Sequence, residues 1–370
     1  MSADASPETR RERRAGAARR WLPVLVALLT ACGAGAPPAT PVRDGSRDAW
    51  TFGPPYLWYA GAGLAAHSVE QSQVSNDDEP AYFVVPDLPV HNCHDVAFDG
   101  EGNLWTIPVA GDRVLRLPAA GLGLNKPLLP DLTLTSAVFK GAQGLVFDAA
   151  GRLWVLSYAG TSQQVATISR FDGARSLVGH HEASPAVTLA PGEGAESVKP
   201  FTQSTAIALD AAGNLWLSAL TTVSRFDRVA GPAGDVAAAP SAVISTGEAY
   251  GSLAFDARGA LWITAARNGG YQALRFDRPG ELTGTVQPTP AARVRLEAAG
   301  ARFAGGMAFD HEDGLWILLS NRLVRFRHAG GLTGDVRPTP VTVLGHTVFP
   351  DLSSKIVLQP RPAGLPIFTP

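Results

Sequence analysis

The sequence predicts an all-β fold: a β-propeller of six four-stranded antiparallel blades, closed by N- and C-terminal strands that share a blade. Three observations predict it. A ten-residue phrase recurs five times, as VAFDGEGNLW (96–105), LVFDAAGRLW (145–154), IALDAAGNLW (207–216), LAFDARGALW (253–262) and MAFDHEDGLW (307–316). A second phrase follows it as SRFD (169–172 and 224–227), LRFD (274–277), VRFR (324–327) and a weaker LRLP (115–118). Glycine (39) and proline (29) are frequent without a three-residue period, which suits many short strands and turns.

Each element has a physical reason. The apolar triplet that opens the first phrase is a short strand buried on both faces. Asp99, Asp148, Asp210, Asp256 and Asp310 accept backbone N–H bonds in the turn that follows. Gly102, Gly151, Gly213 and Gly259 supply the positive φ of that turn, while the last repeat shifts its glycine to Gly314 and leaves Asp313 in the left-handed position. The tryptophan opens the return strand and seals the contact between neighbouring units. The Arg-Phe phrase is a third strand, with arginine expected outward and phenylalanine inward. Stretches such as PSAVI (240–244), AARVRL (291–296) and PVTVL (340–344) supply the fourth.

IVLQPRPAGLPIF (356–368) follows the same template, with Gln359 for the aspartate and Pro366 for the tryptophan. YLWYAG (56–61) and AYFVV (81–85) complete that blade from the other end. Seven blades is the alternative, because the long insert between Asp172 and Thr205 has room for extra strands.

Residues 1–31 read as a lipoprotein signal peptide. Arg10, Arg11, Arg13, Arg14, Arg19 and Arg20 precede the apolar run Trp21–Leu29, which is too short to span a bilayer. The run ends in Leu29-Thr30-Ala31-Cys32, which resembles the bacterial lipobox and makes Cys32 the lipidation site. Residues 32–48 form a flexible tether, and 49–370 the propeller. Removing six arginines with three acids takes the net charge from −2 to about −5, so no nucleic-acid partner is expected. The expected address is export, as a membrane lipoprotein in the periplasm or on the cell surface.

The phrase AFDARGALWIT…LRFD resembles the six-bladed superfamily of NHL-repeat proteins, virginiamycin B lyases and the regucalcin/gluconolactonase group, over roughly residues 56–370. The resemblance implies the fold and a ligand site at one channel mouth. Lactonases of the group carry a metal-binding acid before a Gly-Pro-x-Trp phrase; here Phe52 stands in that place. The lyases use a histidine and glutamates late in the ring; here His311 and Glu312 fall in a turn between strands.

The residues preceding each inner strand outline the mouth: His91, His94 and Asp95; Lys140 and Gln143; Gln203 and Thr205; Glu248 and Tyr250; Arg302 and Phe303; Asp351 and Lys355. They suit a small polar ligand, a glycan or a protein partner. His94 and Glu248 are the candidate ligands of a divalent cation. On an extended stretch, however, His91 and His94 point to opposite faces, so at most one aims at a common centre. Cys93 beside His94 suggests a nucleophile and base, but adjacent strand side chains diverge. His180-His181, beside Glu182, read as a solvated loop. The function expected from these features is a lipid-anchored binding or interaction module. The alternative is a divalent-metal-dependent, lactonase-like hydrolase or lyase at the channel mouth.

Overall fold

A computed structural model describes residues 56–60, 64–68, 83–84, 93–122, 129–158, 165–192, 199–229, 231, 234–297, 304–319, 322–344 and 355–359. The expected signal, Cys32, the tether, His91, Arg302, Phe303, Asp351 and Pro366 lie outside these residues. Among the described residues no helix is long and apolar enough to cross a membrane.

The described strands form six sheets. Sheet I holds Cys93–Phe98, Leu104–Pro108, Arg113–Leu117 and Leu132–Thr135. Sheet II holds Gly144–Phe147, Leu153–Tyr158, Ala166–Phe171 and Val187–Pro191. Sheet III holds Ala206–Leu209, Leu215–Ala219, Thr222–Phe226 and Ala242–Ile244. Sheet IV holds Ala249–Phe255, Leu261–Arg267, Gly270–Phe276 and Ala292–Arg295. Sheet V holds Ala304–Phe309, Leu315–Leu319, Arg322–Phe326 and Thr342–Leu344. Sheet VI joins the chain ends, pairing Lys355–Gln359 with Tyr56–Ala60, followed by Leu64–Ser68 and Phe83–Val84. The first-named strand of each sheet contacts that of the next, and Lys355–Gln359 returns to Cys93–Phe98, so the inner strands make a closed circuit.

The recurring aspartate organises each turn. Asp99 Oδ1 accepts the Glu101 and Asn103 backbone N–H groups at 2.9 and 3.0 Å, and its Oδ2 accepts the Trp105 indole N–H at 2.8 Å. The same indole bond recurs at Asp148, Asp210, Asp256 and Asp310. Gly102, Gly151, Gly213 and Gly259 all have positive φ, and Asp313 takes φ 59° in the last repeat, as expected. In sheet VI the indole is Trp58, not a side chain downstream of Gln359: Trp58 Nε1 donates to Gln359 Oε1 at 2.7 Å, opposite Val357. The substitution by Pro366 is therefore no loss to the template, because the opposite end of the chain supplies the ring.

Four of the described tryptophans stack on an aromatic ring of the next sheet. Trp58 meets Phe98, Trp105 meets Phe147, Trp216 meets Phe255 and Trp262 meets Phe309, with ring centroids 5.2–6.4 Å apart. Because both faces of such a sheet are covered, the third-strand arginines are not outward, contrary to expectation. Arg116, Arg170, Arg225, Arg275 and Arg325 are buried, each opposite the tryptophan of its own sheet, with its guanidinium 5.6–5.9 Å from that ring. The aspartate two residues on explains the RFD phrase: it pairs with Arg170, Arg225 and Arg275 at 2.6–2.8 Å. In VRFR the aspartate is replaced by Arg327. Arg325 turns instead to Asp310 at 2.6 Å and Glu312 at 2.7 Å, through space that Gly314 leaves open.

One element was not expected. Before its fourth strand, a sheet lends a short parallel strand to the outer edge of the preceding sheet. Gly179–Glu182 pairs with sheet I, Gly234–Ala238 with sheet II, Gly284–Val286 with sheet III and Gly334–Val336 with sheet IV. His180-His181-Glu182 is thus strand rather than loop. Each such strand starts at a glycine of positive φ, whose N–H donates to the preceding sheet at 2.7–2.9 Å. These straps cover sheet edges that would otherwise expose unpaired backbone groups. The long insert after Asp172 is used this way: its described strands join sheets I and II rather than founding another.

Candidate functional site

The six inner strands enclose a channel cavity of about 140 Å³. Its walls are mostly apolar, from residues such as Leu145, Ile207, Leu253, Met307 and Ile356, and its polar lining includes Asp95, Ser252 and Lys355. Irregular pairing at Cys93/Asp95, Tyr250/Leu253 and Ala304/Met307 bends three of the inner strands where they enter. Bulges of this kind re-aim side chains at sheet ends.

Asp95 is buried, and both its oxygens are occupied. Oδ1 accepts the Val96 N–H at 2.8 Å, and Oδ2 accepts the Leu145 N–H of the next inner strand at 2.8 Å. The carboxylate therefore ties sheet I to sheet II. Burial pushes its pKa up, and Lys355 with the two N–H groups draws it partly back. Lys355 starts the closing strand, opposite Ala60, and its ammonium is the cation of the channel lining.

The other expected rim residues fall elsewhere. His94 is largely buried, with Nε2–H donating to the Val109 carbonyl at 3.1 Å, and burial lowers its pKa. The Cys93 thiol is buried and pushed up to about 11, so it is a neutral thiol at pH 7. Lys140 is exposed, and the Gln143 N–H donates to the Leu156 carbonyl. Gln203 takes φ 51°, and Thr205 shares hydrogen bonds with Ser218 and the Gly251 carbonyl. Tyr250 accepts the Thr246 N–H at 2.9 Å.

Glu248 is fully buried beneath sheet IV, away from the channel lining. Arg293 Nη1 donates to it at 2.9 Å, Gln272 Nε2 donates to its other oxygen, and Arg267 lies at 3.7 Å. His94 and Glu248, the expected cation ligands, are thus held by separate protein partners. Among the described residues no group of three His, Cys, Asp or Glu side chains is gathered as a metal would require. Of the expected rim, the structure brings Asp95 and Lys355 together on the channel wall. It adds Ser252, whose backbone N–H is held by Thr264 Oγ1 at 2.8 Å. Ser252 stands one place before the LAFD phrase, the same offset as Asp95 before VAFD, and that alignment is the sequence signal for it.

Closed sheets around a shared channel define a β-propeller. No protein-family model and no curated protein matches the chain. Solved structures do. A protein of unknown function from Bacteroides caccae is 13% identical with TM-score 0.55, over 83% of this chain and 99% of its own. A protein from Lactobacillus plantarum is 11% identical with TM-score 0.50, over 82% and 99%. A virginiamycin B lyase from Staphylococcus aureus aligns at 14% identity and TM-score 0.42, over 79% and 87%. At these identities the likeness to the first two is one of fold alone.

Proposed function

We propose that the protein is an exported, lipid-anchored propeller of six blades, whose head acts as a binding or interaction module in the bacterial envelope. Six blades is the count supported by the six sheets and by the closed circuit of their inner strands. The observation that carries the functional reading is the state of the groups a hydrolase or lyase would draw on. Asp95 is capped by two backbone N–H groups, Glu248 is held by Arg293 and Gln272, and the Cys93 thiol is neutral. General acid–base and nucleophilic catalysis need a group free to exchange a proton with substrate. Of these only Asp95 lies on the channel wall, and there it is fixed in place beside mostly apolar neighbours, which favours recognition.

Anchoring rests on Cys32 at the end of the apolar run and on the small, Pro-rich tether after it. A diacylated cysteine holds such a head at a membrane surface. The test is metabolic labelling with a clickable palmitate in an expressing bacterium, followed by fractionation. The wild-type chain is expected to be labelled and membrane-bound, and Cys32→Ser to lose both properties. Unlabelled wild-type protein in the soluble fraction would overturn the anchor.

A further inference from the structure

A second cavity, of about 370 Å³, opens on sheet IV and is lined by Arg267, Asn268, Gly270, Arg293, Arg295 and Glu297. Three guanidiniums face one space here, and two are held in place from behind. Arg293 uses one donor on the buried Glu248, and Arg295 uses Nε and Nη2 on Asp335 of the strap at 2.9 and 2.7 Å. Each guanidinium carries five N–H donors, so both keep donors beyond these bonds. Arg267 is the most open of the three, its side chain 56% exposed, at the end of the strand Leu261–Arg267. Its position is set by the two-residue turn Asn268-Gly269, both at positive φ, which pairs Arg267 with Gly270. Gly270 also leaves room for Glu297, since a Cβ there would press on Glu297 Oε1.

We infer that this pocket is an oxyanion site, taking the carboxylate or phosphate group of a small solute between Arg267, Arg293 and Arg295. Guanidinium forks match both groups bidentately, and donors already oriented by Glu248 and Asp335 lose little freedom on binding. Glu297 is the opposing charge in the wall, so it limits affinity and disfavours extended polyanions. The inference is independent of how the channel is used.

The experiment is calorimetric titration of the full chain with sodium phosphate and with sodium acetate, ionic strength being held constant with sodium chloride. Saturable binding of one probe per chain is expected. Arg267→Ala should weaken it about ten-fold, the loss of one charge-assisted hydrogen bond. Glu297→Gln should tighten it, a gain that damage to the fold would not produce. Arg278→Ala, an exposed arginine outside the pocket, should leave it unchanged. Phosphate-only or acetate-only binding assigns the ligand class. Absence of saturable binding by both probes, or binding indifferent to Arg267→Ala and Glu297→Gln, overturns the inference.

Discussion

Replacing Arg225 by alanine tests whether the repeated Arg-Phe strand faces solvent or holds neighbouring sheets together. Arg225 is 4% exposed. Its Nη1 donates to the Pro279 and Gly280 carbonyls of the next segment at 3.0 and 2.7 Å. Its guanidinium also lies 5.8 Å from the Trp216 ring centroid. A hydrogen bond from a charged donor contributes about 1.5–3 kcal/mol, and a desolvated cation–π contact about 2. The pair with Asp227, which is 40% exposed, adds about 0–1 kcal/mol after screening. Desolvation of the guanidinium offsets part of this sum, but truncation leaves two carbonyls and Asp227 without their partner. The net loss expected is about 3 kcal/mol. Arg225→Lys should recover less than half, because an ammonium cannot both fork and stack. Urea denaturation of the full chain measures the difference, with Arg278→Ala as a control that stays within about 0.5 kcal/mol. A loss below about 1 kcal/mol for Arg225→Ala would refute the reasoning and return the arginines to the surface.

Ring closure predicts that Gln359→Ala costs about 1–2 kcal/mol, because it strips the buried Trp58 indole of its acceptor. Gln359→Glu should be far milder, since the five other sheets place a carboxylate there; thermal melts of both variants decide. Gly259 has φ 80° and nothing within 4 Å of an added Cβ, so Gly259→Ala should cost about 1–2 kcal/mol from backbone conformation alone, and Gly259→Asn less. Burial holds the His94 pKa below the ordinary 6.5, so as pH falls the unfolded chain takes up the proton first. Its contribution is full above about pH 6.5 and declines as pH falls towards the folded value; His94→Gln should flatten that limb of a stability–pH curve.

Much of the fold was legible because the tight turn has one chemical solution. Asp at its start, Gly within it and Trp six residues on specify strand, turn and return strand together. The arginine was misjudged because alternation reports two faces without saying which meets solvent, and here both meet neighbouring sheets. Trp216 and Arg225 sit opposite one another and share a face, so the charge stacks rather than solvates. Three of the four straps did leave a signal, in GDVAAAP (234–240), GTVQPTP (284–290) and GDVRPTP (334–340). Their pairing partner lies in another repeat, which no local pattern identifies. The rim was harder still. Glu248 stands just before the strand Ala249–Phe255, yet Arg293 of the fourth strand pairs with it at 2.9 Å, and it is absent from the channel lining.

The reading of the channel mouth as a binding wall is tested most directly by melting the full chain in chelator and then with excess Ca²⁺, Mg²⁺, Mn²⁺ or Zn²⁺. A resident ion would add about 2.7 kcal/mol at a hundred-fold excess over its dissociation constant. No shift is expected beyond that of sodium chloride at matched ionic strength. A chelator-reversible rise that His94→Ala abolishes would contradict it and make the mouth a metal centre.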